Sequence, residues 1–595
     1  MTDRSLDLAD LAGHPRALRI ADVLAVARDY RPVALLRDDE RAWRPIERAV
    51  AESAAWVATQ AAAVEAPGAR PIYGINTGLG ALAGRATFAS RYHARVLQWN
   101  LLVSHAAGAG AALPEDAVRA ATLVRACQLA RGRSGVRIGL INRLVRLLNA
   151  RLYPQVPEMG SLGASGDLAP LAYLGLAISR PPAPEAGEAP LPLDPVFADV
   201  WVAHARSGSP AEPSARPEPN SARGLRVGEP APTPWRRATL AEVDAAIGDR
   251  LVLDAKEGLA LTNGATFSAA LGALAVADAL RLLDSAELAL AMTFEAVRGV
   301  RDAFLPQVHA VRGVPAQSAV AARVLAFTAG SSLLDPGDAG VDPSRMPPQD
   351  PYSVRCGPQV LGAARDALGW ITERIEAEIN AAVDNPLIFL ELPRREKAVS
   401  GGNFHGAPIG YAMDLLKIVV ADAASQSERR AYLLTDYRFD DAPRRDLSLP
   451  LFLVPPGAAP EGLSSGLMIP QYTAASLVSA CKTLAHPDSV DSIPSSAGQE
   501  DHVSMSMNAA RHARMAIAHA EAVVAIEILL AAQALDLRRA EGAPGAGVAA
   551  AHARLRADVP ALAFDRALHP DIQAALALVR SGELVAAARD ASRSG

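Results

Sequence analysis

Residues 160–171 read Gly160-Ser161-Leu162-Gly163-Ala164-Ser165-Gly166-Asp167-Leu168-Ala169-Pro170-Leu171. Glycines at 160, 163 and 166 open a tight backbone path. Between them, Ala164-Ser165-Gly166 can make an electrophile from the chain itself. The Gly166 amide nitrogen attacks the Ala164 carbonyl carbon, and two waters leave, one involving the Ser165 hydroxyl. An exocyclic alkene conjugated to a five-membered ring remains. Glycine leaves the attacking nitrogen unhindered, alanine keeps the first position small, and serine supplies the leaving hydroxyl. Side chains offer nucleophiles, acids and bases but no strong neutral electrophile, so such a ring fills a chemical gap. The bland reading of the same tripeptide is a small-residue turn before a helix. Pro170 suits the first turn of a helix beginning after Asp167, whose carboxylate would cap its open amides.

Outward from this stretch the chain reads as mainly α. Helical spacing predicts helices within 15–68, from Tyr92 to Leu129, and over 137–149, 361–383, 407–434, 471–485 and 504–535. Long helices interrupted near Gly258 and Gly264 are expected between Leu240 and Leu283, with helical texture again at 287–298 and 315–334. The Gly-rich 71–85 and Pro-rich 436–470 regions read as loops. Weak alternation between Pro184 and Ala205 suggests short strands. Residues 203–236, rich in proline and without periodicity, read as a surface insertion. The expected organisation is an N-terminal region 1–240 carrying that insertion, a central helical bundle 241–535, and a C-terminal helical segment 536–595.

The chain has 595 residues, half of them apolar, with 59 basic and 64 acidic residues. A formal charge of −5 gives no reason to expect a nucleic-acid surface. Cys127, Cys356 and Cys481 show no CxxC spacing, so neither a disulfide framework nor a thiolate metal cluster is suggested, and a reducing, cytoplasmic setting fits. His405, His486 and His502 lack metal-site spacing, and no metal is expected. The N-terminus does not read as a secretory signal. The apolar run Phe267 to Ala277 is too short for a membrane span and reads as buried helix.

Further blocks follow in order: Tyr73-Gly74-Ile75-Asn76-Thr77-Gly78, Ser104-His105-Ala106-Ala107-Gly108, Glu257-Gly258-Leu259-Ala260-Leu261 with Asn263-Gly264, Gln349-Asp350-Pro351-Tyr352-Ser353-Val354-Arg355-Cys356, Asp384-Asn385-Pro386-Leu387, Gly402-Asn403-Phe404-His405-Gly406, and Gln499-Glu500-Asp501-His502-Val503-Ser504-Met505. Together with the 160–171 stretch they resemble the aromatic amino-acid lyase family, over most of the region from Tyr73 to Met505. The resemblance implies an elongated helical-bundle lyase fold with an irregular N-terminal active-site region. It also implies the prosthetic group 4-methylidene-imidazole-5-one (MIO), formed autocatalytically from Ala164, Ser165 and Gly166, and a homotetramer whose active sites are shared between subunits.

The same resemblance implies roles. Tyr73 is the β-proton base, Tyr352 aids amine positioning or proton transfer, and Asn263 supports the prosthetic group and its developing negative charge. Arg355 holds the substrate carboxylate with its planar guanidinium, Gln349 orients substrate or prosthetic group, and Phe404 forms an apolar wall. Ser104, His105, Met468 and Glu500 resemble the histidine-specific branch, and the resemblance implies a catalytic as well as a substrate-binding role for Glu500. A buried carboxylate such as Glu500 suits a polar imidazole and is costly against a phenyl ring, which favours elimination of ammonia from L-histidine to give trans-urocanate. Alternatives are a phenylalanine or tyrosine ammonia-lyase, an aromatic aminomutase, or a catalytically inactive binding protein. Four departures bear on pocket shape: Leu79 in place of the common phenylalanine, Ala265-Thr266 after Asn263-Gly264, the sequence of 304–314, and Met507.

Overall fold

The structure is a computed structural model and describes residues 5–12, 18–63, 71–83, 90–185, 200–203, 235–335, 349–393, 396–437, 448–457 and 462–594. Among the described residues the fold is mainly helical, with 20 α-helices. The expected helices appear at Arg91–His105 and Glu115–Leu129, at Ile138–Asn149, and at Gly357–Ile379, Ala407–Thr435, Met468–Leu484 and Ser506–Leu537. Two boundaries differ from expectation. The strand Ala109–Ala112 divides 92–129 into two helices, and Thr266–Ala296 runs unbroken where two helices were expected. Its alanine and leucine side chains are buried nearly all round, and Asp284-Ser285-Ala286, where the apolar run is interrupted, lie within the one helix. Of the expected insertion, residues 204–234 lie outside the described residues. Its flanks, Val200–Ala203 and Trp235–Arg237, pair antiparallel with each other, and the former also pairs with Leu152–Pro154.

Two compact units emerge. The first comprises Met1–Leu274, Glu373–Tyr411 and Asp488–Ala510. At its heart the helix Glu115–Leu129 buries every residue from Ala117 onward and packs against Ile138–Asn149. Beside it the helices Arg91–His105, Leu168–Ile178 and Glu257–Thr262 pack on one another. Close approach requires a glycine here: a Cβ on Gly258 would come within 2.8 Å of the Gln98 carbonyl oxygen. Gln98 Oε1 in turn accepts the Gly258 and Leu259 amides at the open end of their helix. An antiparallel pairing of Ala109–Ala112 with Pro157–Met159 ties the chain after His105 to the chain before Gly160.

The second unit comprises Ala275–Thr372, Ala412–Pro487 and Arg511–Gly595. Its long helices meet at a fully buried ion pair. Arg430 Nε and Nη2 donate to the two Glu527 carboxylate oxygens at 2.5 and 2.8 Å. Thr293 and Ser427 hydroxyls donate to the same carboxylate at 2.8 and 2.6 Å. Each buried charge therefore has its partners, the condition under which such a pair is tolerated and fixes register. Thr266–Ala296 and Ser506–Leu537 are long and apolar enough to cross a membrane, but 78% of the apolar window in each is buried inside the protein. The three cysteines are free thiols.

Candidate active site

Three turns of the first unit converge on Ala164-Ser165-Gly166. Gly163 and Gly166 adopt φ of +66° and +82°. A Cβ on Gly166 would strike the backbone of Gly264, and one on Gly163 would strike the hydroxyls of Ser504 and Ser506. The Ser165 carbonyl oxygen accepts from Asn263 Nδ2 at 2.8 Å and from the Gly264 amide at 3.1 Å. On the far side Gly163 O accepts the Gly406 amide at 3.0 Å and the Ser504 hydroxyl at 2.8 Å. Asn263 Oδ1 is buried without a hydrogen-bond partner among the described residues.

Asp167 departs from its expected role. It stands before the helix Leu168–Ile178 but makes no side-chain cap there. Its carboxylate instead accepts the Ser161 hydroxyl at 2.7 Å and the Ser268 amide and hydroxyl at 2.8 Å each. An open amide in the first turn of Thr266–Ala296 takes the carboxylate instead. Burial pushes the Asp167 carboxyl above the usual range, opposed by these hydrogen bonds.

A cavity of about 270 Å³ opens over this turn, lined by Ser104, His105, Ala164, Ser165, Gly166 and Glu500 among others. Ser165 Oγ donates to Glu500 Oε1. Ser104 Oγ lies 3.0 Å from His105 Nδ1, and both residues end the helix Arg91–His105. Burial holds His105 below the ordinary histidine value; the Leu101 carbonyl and the Glu500 charge oppose it. The neutral ring therefore prevails at pH 7.

Tyr73 lies in the Gly-rich turn, where its hydroxyl accepts the Gly80 amide at 3.1 Å. Leu79 precedes Gly80 as the cap of a short 3-10 turn. Phe404, half-buried, sits two residues before the Gly406 amide that reaches Gly163 and is not among the cavity's lining residues. His405 and His502 stack at 5.6 Å with an interplanar angle of 6°.

Gln349, Tyr352, Arg355 and Met468 belong to the second unit. Tyr352 is 68% exposed, and the Arg355 guanidinium lies over its ring at 4.5 Å. Arg355 Nε donates to the Asp350 carbonyl at 3.0 Å. Gln349 is exposed and Met468 half-buried at the start of its helix. Arg430 Nη1 donates to the Ser353 carbonyl at 3.1 Å, so the buried ion pair also anchors this segment.

Sequence reading missed the support beneath Asn263. Arg125, fully buried, donates to the carbonyl oxygens of Ala260 and Asn263, the latter at 2.6 Å, satisfying the end of the helix Glu257–Thr262. It also reaches Thr266 Oγ1 and Gln128 Oε1, both at 3.3 Å, and Thr266 donates to Gln128 at 2.7 Å. The departure at Thr266 thus carries a hydroxyl that completes this network. Burial lowers the Arg125 guanidinium to about 10, so it stays charged at neutral pH. The available signal was an arginine and a glutamine three apart within the apolar stretch Leu123–Leu129 of their helix. Of the other departures, Met507 and Ala265 are buried, and 304–314 forms the helix Pro306–Ala310 with Val311 89% exposed.

A sequence profile of the family described as aromatic amino acid lyase matches residues 18–186 and 236–557. The chain belongs to the aromatic amino acid lyase family. Between the two matched stretches lies most of the Pro-rich segment. Histidine ammonia-lyase of Anaeromyxobacter sp. (strain K) is 46% identical over 512 residues, covering 86% of this chain and 89% of that protein. The crystal structure of histidine ammonia-lyase from Trypanosoma cruzi is similar at a TM-score of 0.74 with 30% identity, covering 96% of this chain and 94% of that one. Tyrosine aminomutase from Streptomyces globisporus matches at a TM-score of 0.76 with 30% identity, covering 99% of each chain.

Proposed function

We infer that this protein is a carbon–nitrogen lyase that eliminates ammonia from L-histidine to give trans-urocanate. The observation that carries the reading is the neutral His105 facing the Glu500 carboxylate around the cavity over Ser165. An imidazole ring offers one N–H and one acceptor nitrogen, and this pair offers an acceptor and a ring able to donate or accept. A phenyl ring would offer nothing to the cavity-side oxygen, Glu500 Oε1, once the Ser165 hydroxyl has left. The two histidine ammonia-lyases among the relatives point the same way.

The residues around Ala164-Ser165-Gly166 fit an MIO group. Positive φ at Gly163 and Gly166, no room for a Cβ at either, and a buried acceptor on Asn263 suit a compact ring in that place. When formed, the group supplies the electrophile that turns the substrate amine into a better leaving group. Ala164, Ser165 and Gly166 form it, and Asn263 holds negative charge at the Ser165 carbonyl oxygen through its Nδ2 donor. Tyr73 acts as the phenolate, its oxygen stabilised by the Gly80 amide, and takes the β-proton to become the neutral phenol. Arg355 clamps the substrate carboxylate, Gln349 orients the bound amino acid, and Tyr352 positions the amine. Phe404 and Met468 supply apolar walls. The exposure of Gln349 and Tyr352 in one chain supports a homotetramer in which subunits share active sites. A cytoplasmic setting suits three free thiols.

The test is a substrate panel of L-histidine, L-phenylalanine and L-tyrosine with ammonia and organic product measured together. Urocanate with equimolar ammonia is the expected result. A β-amino acid retaining its nitrogen would overturn the lyase reading in favour of an aminomutase.

A further inference from the structure

Two hydroxyls meet the Glu500 carboxylate, one on each oxygen. Ser495 Oγ donates to Glu500 Oε2 at 2.7 Å, leaving Oε1 for the cavity side, where it meets Ser165. The backbones of the same two residues are paired. Ser495 N donates to Glu500 O at 2.9 Å and Glu500 N to Ser495 O at 3.3 Å. The turn between them holds three successive left-handed residues, Ser496, Ala497 and Gly498, with φ of +50°, +54° and +83°. Two of these are not glycine, a conformation that persists only where the surroundings impose it. The turn also abuts the Tyr73 loop: a Cβ on Gly80 would lie 3.1 Å from Ser496 Oγ.

We propose that Ser495 is a positioning residue that fixes the Glu500 carboxylate so that Oε1 faces the substrate ring, and so sets the preference for imidazole. This rests on the reading of the cavity as an imidazole site. A ring N–H needs one acceptor in one place, and a carboxylate free to rotate must be ordered each time substrate binds. The backbone pairing of Ser495 with Glu500 does not need the hydroxyl. Ser495→Ala therefore removes the side-chain contact and spares the turn.

A double-mutant cycle isolates the coupling. Parent, Ser495→Ala, Glu500→Ala and the double variant are compared, each first checked by intact mass for the loss of ~36 Da that two departing waters require. In the parent background, Ser495→Ala should lower kcat/KM for L-histidine about tenfold, mainly through KM, as befits a lost hydrogen bond to a charged group. In the Glu500→Ala background the same change should cost less than about twofold. Ser495→Thr, which keeps a hydroxyl, should restore the parent value. Urocanate dissociation constants for the four proteins give the same cycle where turnover is too slow to follow. Equal losses in both backgrounds, or no loss in the parent, would overturn the assignment of Ser495 alone. A mature parent that neither deaminates histidine nor binds urocanate would overturn the imidazole reading and this inference with it.

Discussion

The turn at Gly160–Asp167 and the segment from Gln349 to Cys356 both carry candidate site residues, and they are anchored in opposite ways. Around the first, side chains and amides from several loops close on the backbone: Asn263 and Gly264 on Ser165, Gly406 and Ser504 on Gly163. The second is fixed mainly through its backbone and Asp350. Asp350 Oδ2 accepts the Val300 amide at 2.9 Å and the Ser353 carbonyl takes Arg430, while Gln349 and Tyr352 project into solvent. A backbone cyclisation must be pre-organised inside one chain before any substrate arrives. Residues that only grip a substrate can wait for a second surface to enclose them.

The sharpest way to break this contrast is Ser165→Ala. If the first region exists to make an electrophile, the variant keeps its fold, shows no ~36 Da loss, and falls at least about a thousandfold in kcat. Near-parental turnover would remove the reason for the enclosure. Tyr73→Phe should lower kcat by roughly 10²–10⁴, with the mass loss unchanged, because it removes proton transfer and leaves the cradle untouched. A Tyr73→Phe protein that eliminates ammonia at the parental rate would take the base assignment away from Tyr73.

The second region is tested through its anchor. Arg430→Met strands the Glu527 carboxylate among buried helices and frees the Ser353 carbonyl. Breaking one partner of such a pair costs about 3–5 kcal/mol. A fall in denaturation midpoint together with a raised KM for histidine is the expected outcome, with the mass loss retained. If KM stays put while stability falls, the ion pair serves the helices alone and the 349–356 segment is held by something else.

The sequence made the first region legible and the second only partly so. The chemistry proposed for Ala164-Ser165-Gly166 was legible through the resemblance of the 160–171 stretch and the ordered blocks around it to the aromatic amino-acid lyase family, since the tripeptide alone reads as a small-residue turn, and the helices followed from periodicity wherever one face is polar. What failed was local competition and burial. Asp167 was read as the cap of the helix it precedes, yet the open amides of Thr266–Ala296 hold it. The continuous helix Thr266–Ala296 was read as two because its apolar run is interrupted at Asp284-Ser285-Ala286, which the structure carries within one helix. Arg125 and Ser495 act through partners more than a hundred residues away or across a strained turn, and neither relation leaves a periodic trace.

The smallest expected effect concerns how each unit treats a buried acid. Asp167 accepts from the Ser161 hydroxyl and from the Ser268 amide and hydroxyl, whereas Glu295, fully buried in the second unit, takes the Gly545 amide at 2.8 Å, with the Ser331 hydroxyl and the Arg301 charge also favouring its ionised form. Burial raises the Glu295 carboxyl to about 7, against a value of 4.5 in the unfolded chain. The folded state thus binds the extra proton between those values. Its contribution to stability is intact below pH 4.5 and is lost as pH rises through 7, a change of at most about 3 kcal/mol. Glu295→Gln keeps the acceptor for Gly545 and cannot ionise. Its melting temperature should match the parent near pH 4.5 and exceed it by a few degrees at pH 8. A difference that does not vary with pH would mean that the Glu295 carboxyl ionises as readily in the folded protein as in the unfolded chain, and burial there carries no cost that Asp167's partners would have to offset.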